Sequence, residues 1–92
     1  MEATFVAFGP VREAIGRKEV TRELSEGTTV GEFLRELAEE FPDLEVQLFG
    51  DGQLRDEINV TRNDKHVAHL DGLDTPLSEG DVVRAAPPVK GG

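Results

Sequence analysis

The segment Thr29–Phe41 constrains this chain more than any other stretch. Thr29-Val30-Gly31-Glu32 is a capping box: the threonine hydroxyl can accept the Glu32 N–H while the Glu32 carboxylate reaches back to the Thr29 N–H. Behind it Val30, Phe33, Leu34, Leu37, Ala38 and Phe41 fall at i, i+3, i+4, i+7, i+8 and i+11, a single apolar stripe, with Glu32, Arg35, Glu36, Glu39 and Glu40 on the other side. Pro42 ends the run. Neighbours on a helix diverge by about 100°, so Glu39 and Glu40 read as a solvated face and not as a working carboxylate pair. A helix with one apolar stripe must bury it against another layer. The rest of the chain supplies short alternating segments, which makes that layer a sheet and the fold class α+β, one main helix packed across a mixed sheet.

The strands follow from period-two alternation. Thr4–Phe8 points Phe5 and Ala7 one way and Val6 and Phe8 the other, so both faces of this strand are apolar. One face belongs to the core; the other is either covered by the segment at Pro10 or left open for a partner. Pro10–Gly16 reads as a connecting loop anchored by Val11 and Ile15. Glu19–Leu24 is a half-buried edge strand with Val20 and Leu24 inward and Arg22 between them, closed by the turn Ser25-Glu26-Gly27. Residues 44–49 fit a helical turn and a short strand equally well. Ile58–Arg62 and Lys65–Leu70 read as a hairpin about the two-residue turn Asn63-Asp64. On such a strand His66 and His69 face opposite sides, so they are expected not to share a metal. After a structured loop over Asp71–Leu77 and a turn at Ser78–Asp81, the last strand Val82–Ala86 directs Val83 and Ala85 inward and Val82, Arg84 and Ala86 outward.

Composition removes whole classes of function. Ninety-two residues make one small domain. Nineteen Asp plus Glu against ten Lys plus Arg give a net charge of −9, which repels phosphate backbones and anionic lipid, so neither nucleic acid nor a membrane is an expected partner. Without cysteine there is no disulfide, thiolate nucleophile or zinc–thiolate site. No clustered histidines and carboxylates and no glycine-rich phosphate loop appear, so the chain is expected to be no enzyme, with no cofactor and no metal of its own. Nothing at Met1-Glu2-Ala3-Thr4 resembles a targeting segment, and the expected location is cytoplasmic. Only Lys18, Lys65 and Lys90 are lysines. An acidic, lysine-poor surface suits a salt-rich interior, where a Debye length of about 3 Å at molar ionic strength quenches self-repulsion.

What remains is Pro87-Pro88-Val89-Lys90-Gly91-Gly92. The prolines favour an extended path that cannot continue the last strand, and two terminal glycines can thread a channel too narrow for other residues. Residues 1–86 are thus expected to form the folded body and 87–92 a flexible tail, built either to present the Gly92 carboxylate or merely to fray as chain ends do.

Four segments in order carry a family resemblance. Phe8-Gly9-Pro10-Val11-Arg12-Glu13-Ala14-Ile15-Gly16, Thr28-Thr29-Val30-Gly31-Glu32-Phe33-Leu34, Leu73-Asp74-Thr75-Pro76-Leu77-Ser78-Glu79-Gly80-Asp81-Val82-Val83 and the diglycine tail resemble those of the ubiquitin-like β-grasp sulfur carriers and small archaeal modifiers, the molybdopterin-synthase small-subunit type. The resemblance implies a β-grasp fold and an E1-like enzyme that adenylates the Gly92 carboxylate, with Gly91 needed for passage of the tail. It also implies docking through the exposed sheet face, for which Val6, Phe8, Ala86, Pro87 and Pro88 are the candidates. Attack on the adenylate by a lysine of a target protein gives an isopeptide bond. Attack by a persulfide gives a thiocarboxylate for molybdenum-cofactor synthesis or tRNA thiolation, with a molybdopterin-synthase large subunit as a further partner. Lys90 and the small Ala86 depart from the carriers' pattern. The free chain is expected to be a monomer, and a non-covalent binding domain with an ordinary tail is the third alternative.

Overall fold

The computed structural model describes residues 1–87. Strand β1 (Glu2–Ala7) leads through helix α1 (Pro10–Ile15) into β2 (Glu19–Glu23), and helix α2 (Val30–Glu40) follows. Helix α3 (Pro42–Leu48), the short ribbon β3 (Phe49–Gly50) and β4 (Gln53–Leu54), β5 (Asn59–Arg62), β6 (Lys65–His66) and β7 (Asp81–Ala86) complete the order. The five-stranded sheet runs β2-β1-β7-β5-β6. β1 and β7 are parallel, Ala3 beside Asp81 and Ala7 beside Ala85, while the other pairs are antiparallel. The mixed sheet under one main helix is the expected α+β, β-grasp arrangement.

The core lies between the sheet and the helices. α2 starts as the capping box requires: Thr29 Oγ1 accepts the Glu32 N–H at 3.2 Å and Glu32 Oε1 accepts the Thr29 N–H at 2.9 Å. Its stripe Val30, Phe33, Leu34 and Leu37 is sealed against Phe5, Val83 and Ala85 of the sheet. Phe33 meets Phe5 edge to face, centroids 6.5 Å apart at 86°, the geometry in which one ring's positive edge meets the other's negative face.

The helical layer is larger than the periodicity alone predicts. Pro10–Gly16 is no loop: Pro10 occupies the first helical position and Gly16, left-handed at φ 73°, caps α1 by donating its N–H to Arg12 O. Pro first and Gly after is the ordinary helix asymmetry. The anchors are as read, Val11 and Ile15 both buried. Residues 44–49 divide: Leu44 and Leu48, one turn apart, are buried on α3, and Phe49 starts β3. Pro42, which ends α2, also begins α3.

The return of the hairpin is shorter than Lys65–Leu70. Asn63 and Asp64 both take positive φ, 49° and 72°, the requirement of a tight two-residue turn, but the chain leaves β6 after His66 for a 3-10 turn over Val67–His69 that buries Val67. His66 and His69 therefore do not face apart as they would on a strand; their rings lie 6.1 Å apart, edge to face.

The loop before β7 is fastened to the start of α2. Val30 donates its N–H to Thr75 O at 2.9 Å, Leu77 donates to Thr28 O at 3.0 Å, and a Cβ added to Gly31 would come within 2.9 Å of Leu73 Cβ and 3.0 Å of Leu73 O. Alanine favours a helix interior by about 1 kcal/mol over glycine, whereas overpacking costs about 1–3 kcal/mol. Gly31→Ala is therefore expected to destabilise the protein by up to about 2 kcal/mol in chemical denaturation, against the sign of helix propensity. An increase in stability would show that the loop is not held against α2.

Candidate functional site

The sheet face turned away from the helices carries Thr4, Val6, Thr21, Val82, Arg84, Ala86, Asn59 and Thr61, the alternates of the buried positions. It is mostly polar and internally paired. Thr4 and Thr21 share a hydroxyl hydrogen bond at 2.8 Å, and Arg84 Nη1 donates to Asp64 Oδ1 at 3.1 Å. Its apolar residues are Val6, Val82 and Ala86, the last at the end where β7 stops. Because β1 and β7 are parallel, Phe8 follows Ala7 at the same end at which Ala86 and Pro87 follow Ala85.

The predicted docking residues are not equivalent. Phe8, just past β1, is 37% exposed, while Ala86 and Pro87 are half-buried. Val6 departs from the expectation of an exposed docking residue: it is only 8% exposed, although it lies outside the core cluster. It sits on a central strand, in register with Glu19 on one side and Arg84 on the other, so longer neighbours leave it little free surface. The segment at Pro10 does not cover this face, since α1 buries Val11 and Ile15 on the helical side and leaves Pro10 exposed. Pro88, Lys90, Gly91 and Gly92 lie outside the described residues.

One participant escapes a reading by alternation. Arg12 Nε donates to the Ala7 carbonyl at 3.0 Å, and its guanidinium carbon lies 5.7 Å from the Phe8 ring centroid, inside the range of a cation–π contact. It thereby ties α1 to the end of β1 and holds Phe8 from one side. Its signal was present in the Phe8–Gly16 segment, but the partner is a backbone carbonyl that only the folded turn brings within reach.

No group of three or more His, Cys, Asp or Glu among the described residues is placed to hold a metal ion. The resolved pKa shifts belong to the pair Arg22 and Glu40, which joins the edge strand β2 to α2: the hydrogen bond from Arg22 holds the Glu40 carboxyl below its ordinary value and raises the guanidinium. Exposed ion pairs of this kind link elements and do no chemistry. No helix among the described residues is long and apolar enough to cross a membrane.

The exposed Phe8 and the buried Phe5, three residues apart on one segment, separate surface from core. Phe5→Ala is expected to cost about 3–5 kcal/mol of stability, whereas Phe8→Ala, with a partly exposed ring and one cation–π contact to lose, is expected to cost about 1 kcal/mol. Equal losses in urea denaturation would mean that Phe8 is a core residue and no docking anchor.

Comparison with known proteins gives consistent results. The model of the ThiS family matches residues 6–92. Small archaeal modifier protein 3 of Haloferax volcanii is 39% identical over 92 residues, with both chains covered completely. The crystal structure of SAMP1 from Haloferax volcanii superposes with a TM-score of 0.88 at 34% identity, again over 100% of each chain. A Pyrococcus furiosus protein provisionally named molybdopterin converting factor, subunit 1, has a TM-score of 0.79 at 29% identity, covering 97% of this chain and 99% of its own.

Proposed function

The chain belongs to the ThiS family, and on that footing we propose that it is a ubiquitin-like protein modifier joined through Gly92 to lysines of target proteins. The observation that carries this reading is the full-length match to a small archaeal modifier protein, which extends through Gly92. Residues 1–86 act as a body that is recognised, and 87–92 as the tail that is handed over. The chain is the carried group and not the catalyst.

Residue chemistry supports the division of labour. A carboxylate is a poor acylating group until its oxygen carries a good leaving group. A ubiquitin-activating-type enzyme supplies one: a Gly92 oxygen attacks the α-phosphorus of ATP, pyrophosphate departs, and a mixed anhydride with AMP remains. The Nζ of a target lysine then attacks the carbonyl carbon, AMP leaves, and the nitrogen loses a proton as the isopeptide bond forms. Gly91 and Gly92 present no side chain to the channel that must admit them. Phe8, with Ala86 and Pro87 beside it, forms the docking end from which the tail departs, and the proposed location is the cytoplasm of a salt-adapted cell.

A second reading rests on the likeness to the molybdopterin converting factor. If the outer sulfur of a persulfide attacks the same adenylate, AMP leaves and an acyl disulfide forms; a second thiol then cleaves its S–S bond, leaving a disulfide and a C-terminal thiocarboxylate, and a molybdopterin-synthase large subunit becomes a partner. Both products arise from one activated carboxylate, so they are compatible in one chain.

The test uses the chain with an N-terminal tag, expressed in its source organism. Trypsin cuts after Lys90 and leaves Gly-Gly on each modified lysine. High-mass conjugates that yield Gly-Gly-lysine peptides, and that vanish when Gly91 and Gly92 are deleted, are the expected result. If no such peptides form under any growth condition, the modifier reading fails. A species heavier by one oxygen-to-sulfur exchange then leaves the carrier reading standing.

A further inference from the structure

We propose that Gly9 and Pro87 form a positioning pair that sets the direction in which the C-terminal segment leaves the body, and through it the rate at which Gly92 is activated. The inference rests on the activation reading above and concerns how the folded body serves it.

β1 and β7 release the chain side by side, beyond Ala7 and Ala85. There β1 turns abruptly: Gly9 takes φ 55° and ψ −134° and Pro10 opens α1 directly after it. That backbone region is almost closed to residues with a Cβ. The Pro87 ring lies alongside Gly9: a Cβ built on Gly9 would stand 3.4 Å from Pro87 Cγ and 3.8 Å from Cδ, ordinary van der Waals contact, so it is the backbone angle and not want of space that calls for glycine here. The proline's own φ is held near −65° by covalent structure, so glycine seat and proline ring together restrict where the following residues begin. The seat is itself fixed from behind, by Arg12 Nε on the Ala7 carbonyl and by the Gly16 cap that closes α1.

Stability of the core does not account for this arrangement. Phe8, Gly9 and Pro10 are exposed and Pro87 is half-buried, all outside the core cluster. A role in delivery does account for it. The five residues 88–92 span at most about 17 Å when fully extended, so the point and direction from which they start bound where the Gly92 carboxylate can reach. In-line attack by a carboxylate oxygen on the α-phosphorus of ATP tolerates little error, since reacting atoms must approach to about 3–3.5 Å. A body docked through Phe8 with an unguided exit would reach that geometry in a smaller fraction of encounters.

The experiment is ATP–pyrophosphate exchange catalysed by the source organism's ubiquitin-activating-type enzyme. The full chain is compared with Gly9→Ala, Pro87→Ala and the double variant, each assayed well below its melting temperature. Phe8 and Ala86 are untouched but Pro87 belongs to the docking end, so KM is expected to stay within about twofold in Gly9→Ala and to rise in Pro87→Ala, while kcat falls about 10-fold in each single variant. The two residues act through one contact, so the double variant is expected to be no slower than the slower single variant. Wild-type kcat in both single variants would overturn the proposal. So would losses that multiply in the double variant, or a loss confined to KM. Absence of any exchange with the unaltered chain overturns the activation reading, and this inference with it.

Discussion

Strands β1 and β7 lie together at the middle of the sheet and run in the same direction, with Phe5 beside Val83 and Ala7 beside Ala85. Parallel neighbours cannot be joined by a tight turn, so the chain between them adds β2 at one edge, crosses the sheet through α2 and α3, and adds β5 and β6 at the other side before returning. That connection brings the helices to a single face, where Phe33, Leu34 and Leu37 close on Phe5, Val83 and Ala85. The same pairing makes the end of β1 and the end of β7 neighbours in space. The proposed docking end and the proposed departure of the tail are thus one consequence of one strand pair.

The two faces of the sheet follow opposite rules. The inner face is sealed by aromatic and aliphatic side chains, and the start of β7 is held by a buried carboxylate. Asp81 accepts the Asn63 amide on Oδ1 at 2.7 Å and the Ser78 N–H on Oδ2 at 2.8 Å, so each oxygen has a partner, as buried polar groups require. The outer face keeps small and polar residues such as Thr4, Thr21 and Thr61, and the exposed Phe8 lies at the end of the sheet where β1 and β7 stop. On the proposed reading the body needs no more than this: a scaffold, one recognisable end and a tail that leaves from it.

How much of this was legible depends on how local each signal is. α2 could be read residue by residue because its capping box and stripe lie within thirteen consecutive positions, Thr29–Phe41. The alternation of β7 likewise placed Val83 and Ala85 inside and Arg84 and Ala86 outside. α1 escaped because six residues are too few for a helical period to declare itself, although Pro10 and Gly16 marked its ends. β6 was overextended because Val67 fits a strand as well as the 3-10 turn that buries it. The outward turn of Val6 was legible, but its cover by neighbours in register was not, since Glu19 and Arg84 meet it only across two strand pairings. For the same reason Arg12 gave no hint of its carbonyl partner, and Gly9 none of the proline ring beside it.

The central claim is that the activating enzyme reads the Phe8 end of the sheet and that the helical layer is scaffold. Amide and methyl NMR of the isotope-labelled full chain, titrated with its ubiquitin-activating-type enzyme, tests this most directly. The account predicts that broadening and cross-saturation concentrate at Phe8, Gly9 and Ala86 and leave the exposed faces of α2 and α3, including Glu36 and Val46, unaffected. Perturbations centred on α2 and α3, with Phe8 and Ala86 unchanged, would contradict it.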